Sequence, residues 1–235
     1  MPVIKIASAD LTNYLLLEKV ADSGKDLIIS VGASTDYEIE QMLNFISKFN
    51  VPNICLLHCM LLYPTPVQNA YISRISDLKA KFEDEKIKIG YSDHVAPIEA
   101  NNDQLIAAFS LGATTIEKHF TNNKNKIGND HYHALDFADL SDVIKRLNKT
   151  NKLLGHGVRQ ETLVSLQSSA IKNARRSLFY KENLKVGSVL TKEDLIAKRP
   201  GFGIGAHLYE SFIGKKLLTN VSQEELLDPS HFLKS

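Results

Sequence analysis

The stretches KIGYSDH (residues 88–94) and TIEKHF (residues 115–120) decide the fold of this chain. Each begins as a short apolar run, typical of a fully buried parallel strand, and ends in polar and ionisable side chains. Residues 97–111 lie between them and are long enough for a helix, which should end at Gly112. The pattern predicts strand, helix, strand. It places both polar clusters at the carboxyl ends of their strands, where parallel α/β folds bind ligands.

Two histidines, His94 and His119, stand at these neighbouring strand ends. Imidazole nitrogens are common metal ligands, and Asp93 and Glu117 lie close by in the sequence. The spacing is compatible with a shared metal ion. It is also compatible with histidines that cap helices or make structural hydrogen bonds, and the residues alone leave both interpretations open.

Three further apolar runs precede these two strands. The five predicted strands begin near residues 3, 26, 53, 87 and 114, and a helical pattern follows each of them. This repeat predicts either a TIM-type barrel or a doubly wound sheet. Polar residues at several strand ends favour the barrel, although a closed barrel of this type needs eight β-α units rather than five.

The composition indicates a folded chain with no nucleic-acid partner. Of 235 residues, 43% are hydrophobic, enough to bury a substantial core. The formal net charge is +1 and the basic residues are scattered, which argues against nucleic-acid binding. No apolar run approaches membrane length, no signal peptide is recognisable, and Cys55 and Cys59 make no disulfide framework. We therefore expect a cytoplasmic protein with no membrane partner.

The sequence pattern changes near residue 174. Residues 158–173 indicate a helical linker, and beyond them short β-like pieces alternate with turns. We predict a partial barrel domain at residues 1–157, followed by this linker and a small β-rich domain at residues 174–235. The glycine-rich run at residues 198–205 lacks the spacing and the strand-to-helix context of a dinucleotide-binding loop.

Six motifs follow one another along nearly the whole chain. They are KIASAD (5–10), LHC with YPTP (57–59 and 63–66), GYSDH (90–94), EKHFT (117–121), GNDH (128–131) and KRPG (198–201). Together and in this order they resemble the sialic acid synthases, which include N-acetylneuraminate and N,N′-diacetyllegionaminate synthases. The resemblance implies the C-terminal part of a TIM barrel followed by an antifreeze-like (SAF) domain.

The resemblance also implies an activity in surface polysaccharide biosynthesis. Phosphoenolpyruvate would condense with an N-acetylmannosamine-type aldose, an N-acylated amino sugar, to give a nine-carbon 2-keto acid and phosphate. The implied cofactor is a divalent metal, with manganese expected and magnesium or cobalt as alternatives. The implied assembly is a domain-exchanged homodimer, formed when the barrel is complete.

Residue roles are carried over from the motifs. His94 and His119 would be the metal ligands. The phosphate and carboxylate of phosphoenolpyruvate would be bound by one cation and three hydroxyls, those of Lys5, Ser8, Ser30 and Ser92. As structural alternatives, the serines are strand-end hydrogen bonders and Lys5 extends along a barrel edge.

Three carboxylates and one arginine complete the implied site. Asp10 and Asp130 would hold sugar hydroxyls, and Glu117 would support the metal site or the acid–base steps. Arg199, in the small domain, would reach the active site of a partner subunit and contact the N-acyl group.

The chain departs from the family pattern in two places. It begins where the fourth barrel strand of the family is expected, so three β-α units have no counterpart. Residues 60–62, Met-Leu-Leu, stand where relatives tend to carry a small polar residue, so a contact to phosphoenolpyruvate is expected to be missing or replaced. The competing hypothesis is an inactive remnant, or half of a split synthase that needs a separately encoded N-terminal part.

Overall fold

The computed structural model describes residues 2–128, 130–155 and 157–232. Asn129, part of the GNDH motif, lies outside the described residues, as do the last three residues of the predicted C-terminal domain. The chain forms two compact units, residues 1–156 and 157–235.

The first unit is built on five parallel strands. They are β1 (Val3–Ile6), β2 (Asp26–Ser30), β3 (Ile54–Cys59), β4 (Ile87–Asp93) and β5 (Ile116–Lys118). Each pairs with the next, so the order in the sheet is the order in the chain. A doubly wound sheet would reverse its strand order at a switch point. This uninterrupted order is instead that of a TIM-type barrel.

The sheet is strongly curved. In a flat sheet, β1 and β5 would lie roughly 19 Å apart, four strand spacings of about 4.8 Å. Yet the Lys5 Nζ on β1 lies only 3.5 Å from the Glu117 Oε1 on β5. The two side chains therefore meet across the concave face, which is the inside of the barrel segment.

The described residues of this unit form six α-helices: α1 (Tyr14–Ala21), α2 (Asp36–Ile46), α3 (Arg74–Phe82), α4 (Pro97–Ala100), α5 (Asp103–Ser110) and α6 (Phe137–Leu154). A capping box at Thr35 and Glu38 begins α2, as the Ser-Thr-Asp run at residues 34–36 suggests. The single helix predicted over residues 97–111 is wrong. Asn101 and Asn102 both adopt left-handed backbone conformations, with φ of 47° and 58°, and separate α4 from α5.

The core lies between the strands and these helices. Ile29, Leu56 and Ile89 from the strands are buried with helical side chains such as Leu17 and Leu105. Each fully buried aliphatic side chain stabilises the fold by about 1.5–3 kcal/mol. The helices thus cover one face of the sheet and leave the carboxyl ends of the strands for polar residues.

The second unit is small and β-rich. It contains α7 (Gln160–Leu166), α8 (Ser168–Ala174) and the antiparallel strands β6 (Ser177–Tyr180) and β7 (Leu195–Lys198). Its own core includes Leu178, Tyr180 and Leu217. The predicted β-rich C-terminal domain is confirmed, while its boundaries and the separate linker stay predictions. Within the described ranges, no helix is long and apolar enough to cross a membrane.

Gly90, in the centre of β4, is expected not to tolerate a side chain. A Cβ there would lie 2.4 Å from Leu57 Cδ2 and 2.5 Å from the Thr115 carbonyl oxygen. Gly90→Ala should therefore lower the free energy of unfolding by about 1–3 kcal/mol. Chemical denaturation followed by circular dichroism measures this. Lys88→Ala, at an exposed position of the same strand, should change it by less than about 0.5 kcal/mol. Equal effects of the two substitutions would contradict the packing of β4.

Candidate active site

The carboxyl ends of β4 and β5 present four polar side chains to one another. The Ser92 hydroxyl donates to Glu117 Oε1 at 2.6 Å. The rings of His94 and His119 follow two residues later, with centroids 5.4 Å apart. Side chains two residues apart on a strand share a face, so both pairs point the same way. The structure therefore brings the two predicted metal ligands together beside Ser92 and Glu117.

The residues between them point to the opposite face and form a buried ion pair. Lys118 Nζ lies 2.6 Å from Asp93 Oδ2, and the two side chains are 4% and 0% exposed. The Asp93 carboxylate also accepts hydrogen bonds from the Tyr91 hydroxyl, the Val95 amide and the Gln104 side chain. Burial lowers the pKa of Lys118, and the Asp93 charge opposes that shift. This network locks the ends of the two strands together.

Lys5 and Glu117 extend the polar cluster across the concave face. Glu117 accepts the Ser92 hydroxyl on the same Oε1 that lies 3.5 Å from Lys5 Nζ. Both side chains keep partial exposure, 33% for Lys5 and 41% for Glu117. An ammonium, a hydroxyl and a carboxylate thus share one solvent-accessible location.

Ser8 and Ser30 lie at the ends of β1 and β2. The Ser8 oxygen accepts from the Ala33 amide at 2.7 Å. The Ser30 hydroxyl is buried and has no hydrogen-bond partner among the residues that the structure describes. Both hydroxyls lie near the Cys59 thiol. Burial raises the pKa of this thiol, and the two serines and the charge of Lys5 oppose that shift. The Ser30 hydroxyl therefore lies in the interior, beside the Cys59 thiol.

The His94 ring is held by its surroundings. Its Nδ1 donates to the Met60 carbonyl at 2.8 Å, which leaves Nε2 free to accept or to bind a metal. The Tyr63 ring packs on it at a centroid distance of 4.1 Å and meets His119 edge-on at 6.1 Å. Burial lowers the pKa of His94, which favours the neutral imidazole that metals bind.

A third histidine, His133, joins the cluster. Its ring lies 4.9 Å from the His119 ring, and its Nε2 lies 3.6 Å from Asp130 Oδ1. Single ligand atoms of His119, Asp130 and His133 all lie within 4.8 Å of one another. Asp130 has a φ of 75°, a conformation uncommon for a residue with a side chain and frequent at functional sites. No role was predicted for His133 from the sequence, and the Asp130-x-x-His133 spacing is the signal that could have indicated it.

For Asp10 and Arg199 the structure shows local contacts. Asp10 lies in the turn after β1, where its carboxylate accepts from the Asn13 side chain at 3.5 Å. Arg199 is exposed in the second unit, and its Nε donates to the Ala174 carbonyl at 3.1 Å. The roles given to all these residues stay predictions.

Comparison with protein families gives two matches. The NeuB family matches residues 1–159, and the SAF domain matches residues 175–233. The chain belongs to the NeuB family. The predicted family and the predicted fold, part of a TIM barrel followed by an SAF domain, are confirmed.

Individual relatives of this NeuB-family chain are synthases by name. The N,N′-diacetyllegionaminic acid synthase of Campylobacter jejuni serotype O:2 is 35% identical over 97% of this chain and 66% of its own. The human N-acetylneuraminate-9-phosphate synthase is 28% identical over 97% of this chain and 61% of its own. A crystal structure of an N-acetylneuraminic acid (sialic acid) synthetase from Leptospira borgpetersenii is 33% identical, with a TM-score of 0.62 over 72% of this chain and 58% of that one. The chain thus spans less than two thirds of these relatives.

Removing the cation of the buried ion pair is expected to destabilise the first unit strongly. Lys118→Met leaves the Asp93 carboxylate buried without its counter-charge, a change that typically costs about 3–5 kcal/mol. The matched control is Lys81→Met, because Lys81 pairs with Asp36 and Glu40 at a 41% exposed position. Exposed pairs contribute about 0–1 kcal/mol. Chemical denaturation should separate the two variants, and equal unfolding free energies would show that the Asp93–Lys118 pair does not hold the strand ends.

Proposed function

We propose that this protein catalyses the condensation of phosphoenolpyruvate with an N-acetylmannosamine-type aldose, which gives a nine-carbon 2-keto acid and phosphate. The observation that carries the proposal is the facing arrangement of Ser92 and His94 with Glu117 and His119 in a NeuB-family chain. The names of the relatives support a synthase of sialic-type acids.

In this proposal, His94 and His119 hold a divalent cation, manganese or alternatively magnesium or cobalt. The residues fit such an ion because the hydrogen bond to Met60 leaves Nε2 of His94 unprotonated and directed away from that carbonyl. When bound, the cation would supply Lewis acidity toward the aldehyde oxygen of the open-chain sugar.

The phosphoenolpyruvate subsite consists of Lys5, Ser8, Ser30 and Ser92. A phosphate dianion with a neighbouring carboxylate needs a cation and several donors. The Ser30 hydroxyl, which has no hydrogen-bond partner among the described residues, supports this assignment. In the reaction, C3 of phosphoenolpyruvate forms a bond to the aldehyde carbon, the aldehyde oxygen takes up a proton to become a hydroxyl, and C2 is left as an oxocarbenium centre. Water then adds to C2 and gives up a proton, and the tetrahedral intermediate loses phosphate to leave the ketone.

Proton transfer in these steps falls to Glu117. Its carboxylate accepts the Ser92 hydroxyl and lies beside Lys5, so it is positioned to take a proton from the attacking water next to the phosphoenolpyruvate subsite. Asp10 and Asp130 bind sugar hydroxyls in this scheme, where their partial exposure leaves them open to a substrate.

Loss of either histidine is expected to abolish the reaction. In the complete enzyme, His94→Ala and His119→Ala should reduce phosphate release from phosphoenolpyruvate and N-acetylmannosamine, or its 2,4-diacetamido-6-deoxy analogue, by at least about 100-fold, because metal ligand and substrate orientation are lost together. Circular dichroism checks that each variant stays folded. Wild-type, chelator-insensitive turnover in either variant would contradict the proposed metal site.

Arg199 is proposed to act on the N-acyl group of the sugar in the active site of a partner subunit, within a domain-exchanged homodimer. Its guanidinium is exposed, and among the described residues only Nε has a hydrogen-bond partner, the Ala174 carbonyl, which supports a contact to another molecule. Mixing a His94→Ala subunit with an Arg199→Ala subunit should restore part of the activity, because one site of each mixed dimer keeps both residues. Confirmed mixed dimers that stay inactive would contradict the trans arrangement.

A second candidate is a subunit that is inactive by itself, either a remnant or half of a split synthase. The specific observation is the open sheet: five parallel strands end at β1 and β5, and no further strand pairs with either within the described ranges. A closed barrel builds its site from eight strand ends. Residues 1–235 expressed alone are therefore expected to release no phosphate and to show fast amide exchange at β1. Robust turnover by this polypeptide would refute the second candidate.

A further inference from the structure

His133 is a buried imidazole whose hydrogen-bonding capacity is not used by its described neighbours. Its side chain is 0% exposed, and neither ring nitrogen has a hydrogen-bond partner in the described part of the chain. Leaving a buried polar atom unsatisfied costs about 1–3 kcal/mol. An apolar side chain would fill the same space without that cost. The position of an imidazole here indicates that something else satisfies one of its nitrogens.

The neighbours of His133 are metal ligands by type. His119 lies on one side, with ring centroids 4.9 Å apart, and Asp130 Oδ1 lies 3.6 Å from His133 Nε2. One ligand atom from each of the three residues falls within 4.8 Å of the others. Two imidazoles and one carboxylate in such a group form a common set for divalent transition metals, with positions left open for substrate.

We propose that His133 is a further metal ligand, which joins His119 and Asp130. This inference rests on the proposed function insofar as the same ion is the one that His94 and His119 hold. Asp130 would give one carboxylate oxygen to the ion and keep the other for a sugar hydroxyl. The site then has three imidazoles rather than two.

A third imidazole changes which metals the site prefers. Imidazole nitrogen suits cobalt, nickel and zinc, whereas magnesium prefers carboxylate and water oxygens. A neutral imidazole presents a lone pair to such a metal. We expect His133 to raise the affinity for cobalt over magnesium.

The test is cobalt binding by the complete protein, measured by calorimetry and by the visible absorption of the bound Co²⁺. His133→Gln, which keeps a polar side chain of similar size, should weaken Co²⁺ binding by at least about 10-fold, the lower end of what loss of a metal-site partner costs. It should also shift the absorption bands, and Mg²⁺ binding should change less. The matched control is His131→Gln in the same loop, because the His131 Nδ1 is already engaged by the Thr121 hydroxyl at 2.8 Å.

The outcomes separate this inference from the proposed function. Weaker Co²⁺ binding and altered bands in His133→Gln, with the control unchanged, support His133 as a ligand. Unchanged binding and bands in His133→Gln, with binding lost in His94→Ala and His119→Ala, overturn the third ligand and leave the proposed metal site intact. A wild-type protein that binds no divalent metal overturns both. Thermal unfolding without metal checks that His133→Gln is folded.

Discussion

Asp93 and Lys118 form a buried ion pair between the carboxyl ends of β4 and β5, and the facing of Ser92 and His94 with Glu117 and His119 depends on the register of these two strands. Because side chains alternate along a strand, a slip of one residue would turn His94 or His119 away from the other. A well-packed apolar pair would stabilise the strands at least as well as a buried ion pair. The role of the two charges is therefore to fix the register of the strands, which determines the face of each strand that carries the site.

Curvature of the sheet supplies the second constraint. Lys5 and Glu117 come from its two edge strands and still approach to 3.5 Å, so residues from β1 to β5 converge above the concave face. The chain needs no long side chains or mobile loop to bring Ser30 and Ser92 to the same side. An ammonium and hydroxyls collect at β1 and β2, while imidazoles collect at β4 and β5. In the proposed function, this separation suits two substrates of different charge, an anion and a neutral sugar.

Much of this architecture was predictable from the sequence. The strands were predictable because buried parallel strands are apolar runs. The proximity of His94 and His119 was predictable because each histidine follows the end of one of two neighbouring runs. The break at Asn101 and Asn102 was not, since the helical pattern continues through both residues and only their left-handed backbone separates α4 from α5. The burial of His133 was not predictable from the sequence. A polar loop is expected to be exposed, and only tertiary packing determines which of its residues are covered. The proposed role of Arg199 involves a partner subunit, and the local sequence around Arg199 does not indicate how subunits would assemble.

The paired strand ends of β4 and β5 are proposed to form a metal site. Anomalous diffraction of crystals soaked in Mn²⁺, collected at the manganese absorption edge, would locate the ion. We expect an anomalous peak within bonding distance, about 2.0–2.3 Å, of one ring nitrogen of His94 and one of His119. A peak elsewhere, or none while the His94 and His119 rings stay ordered and metal-free, would contradict the proposal.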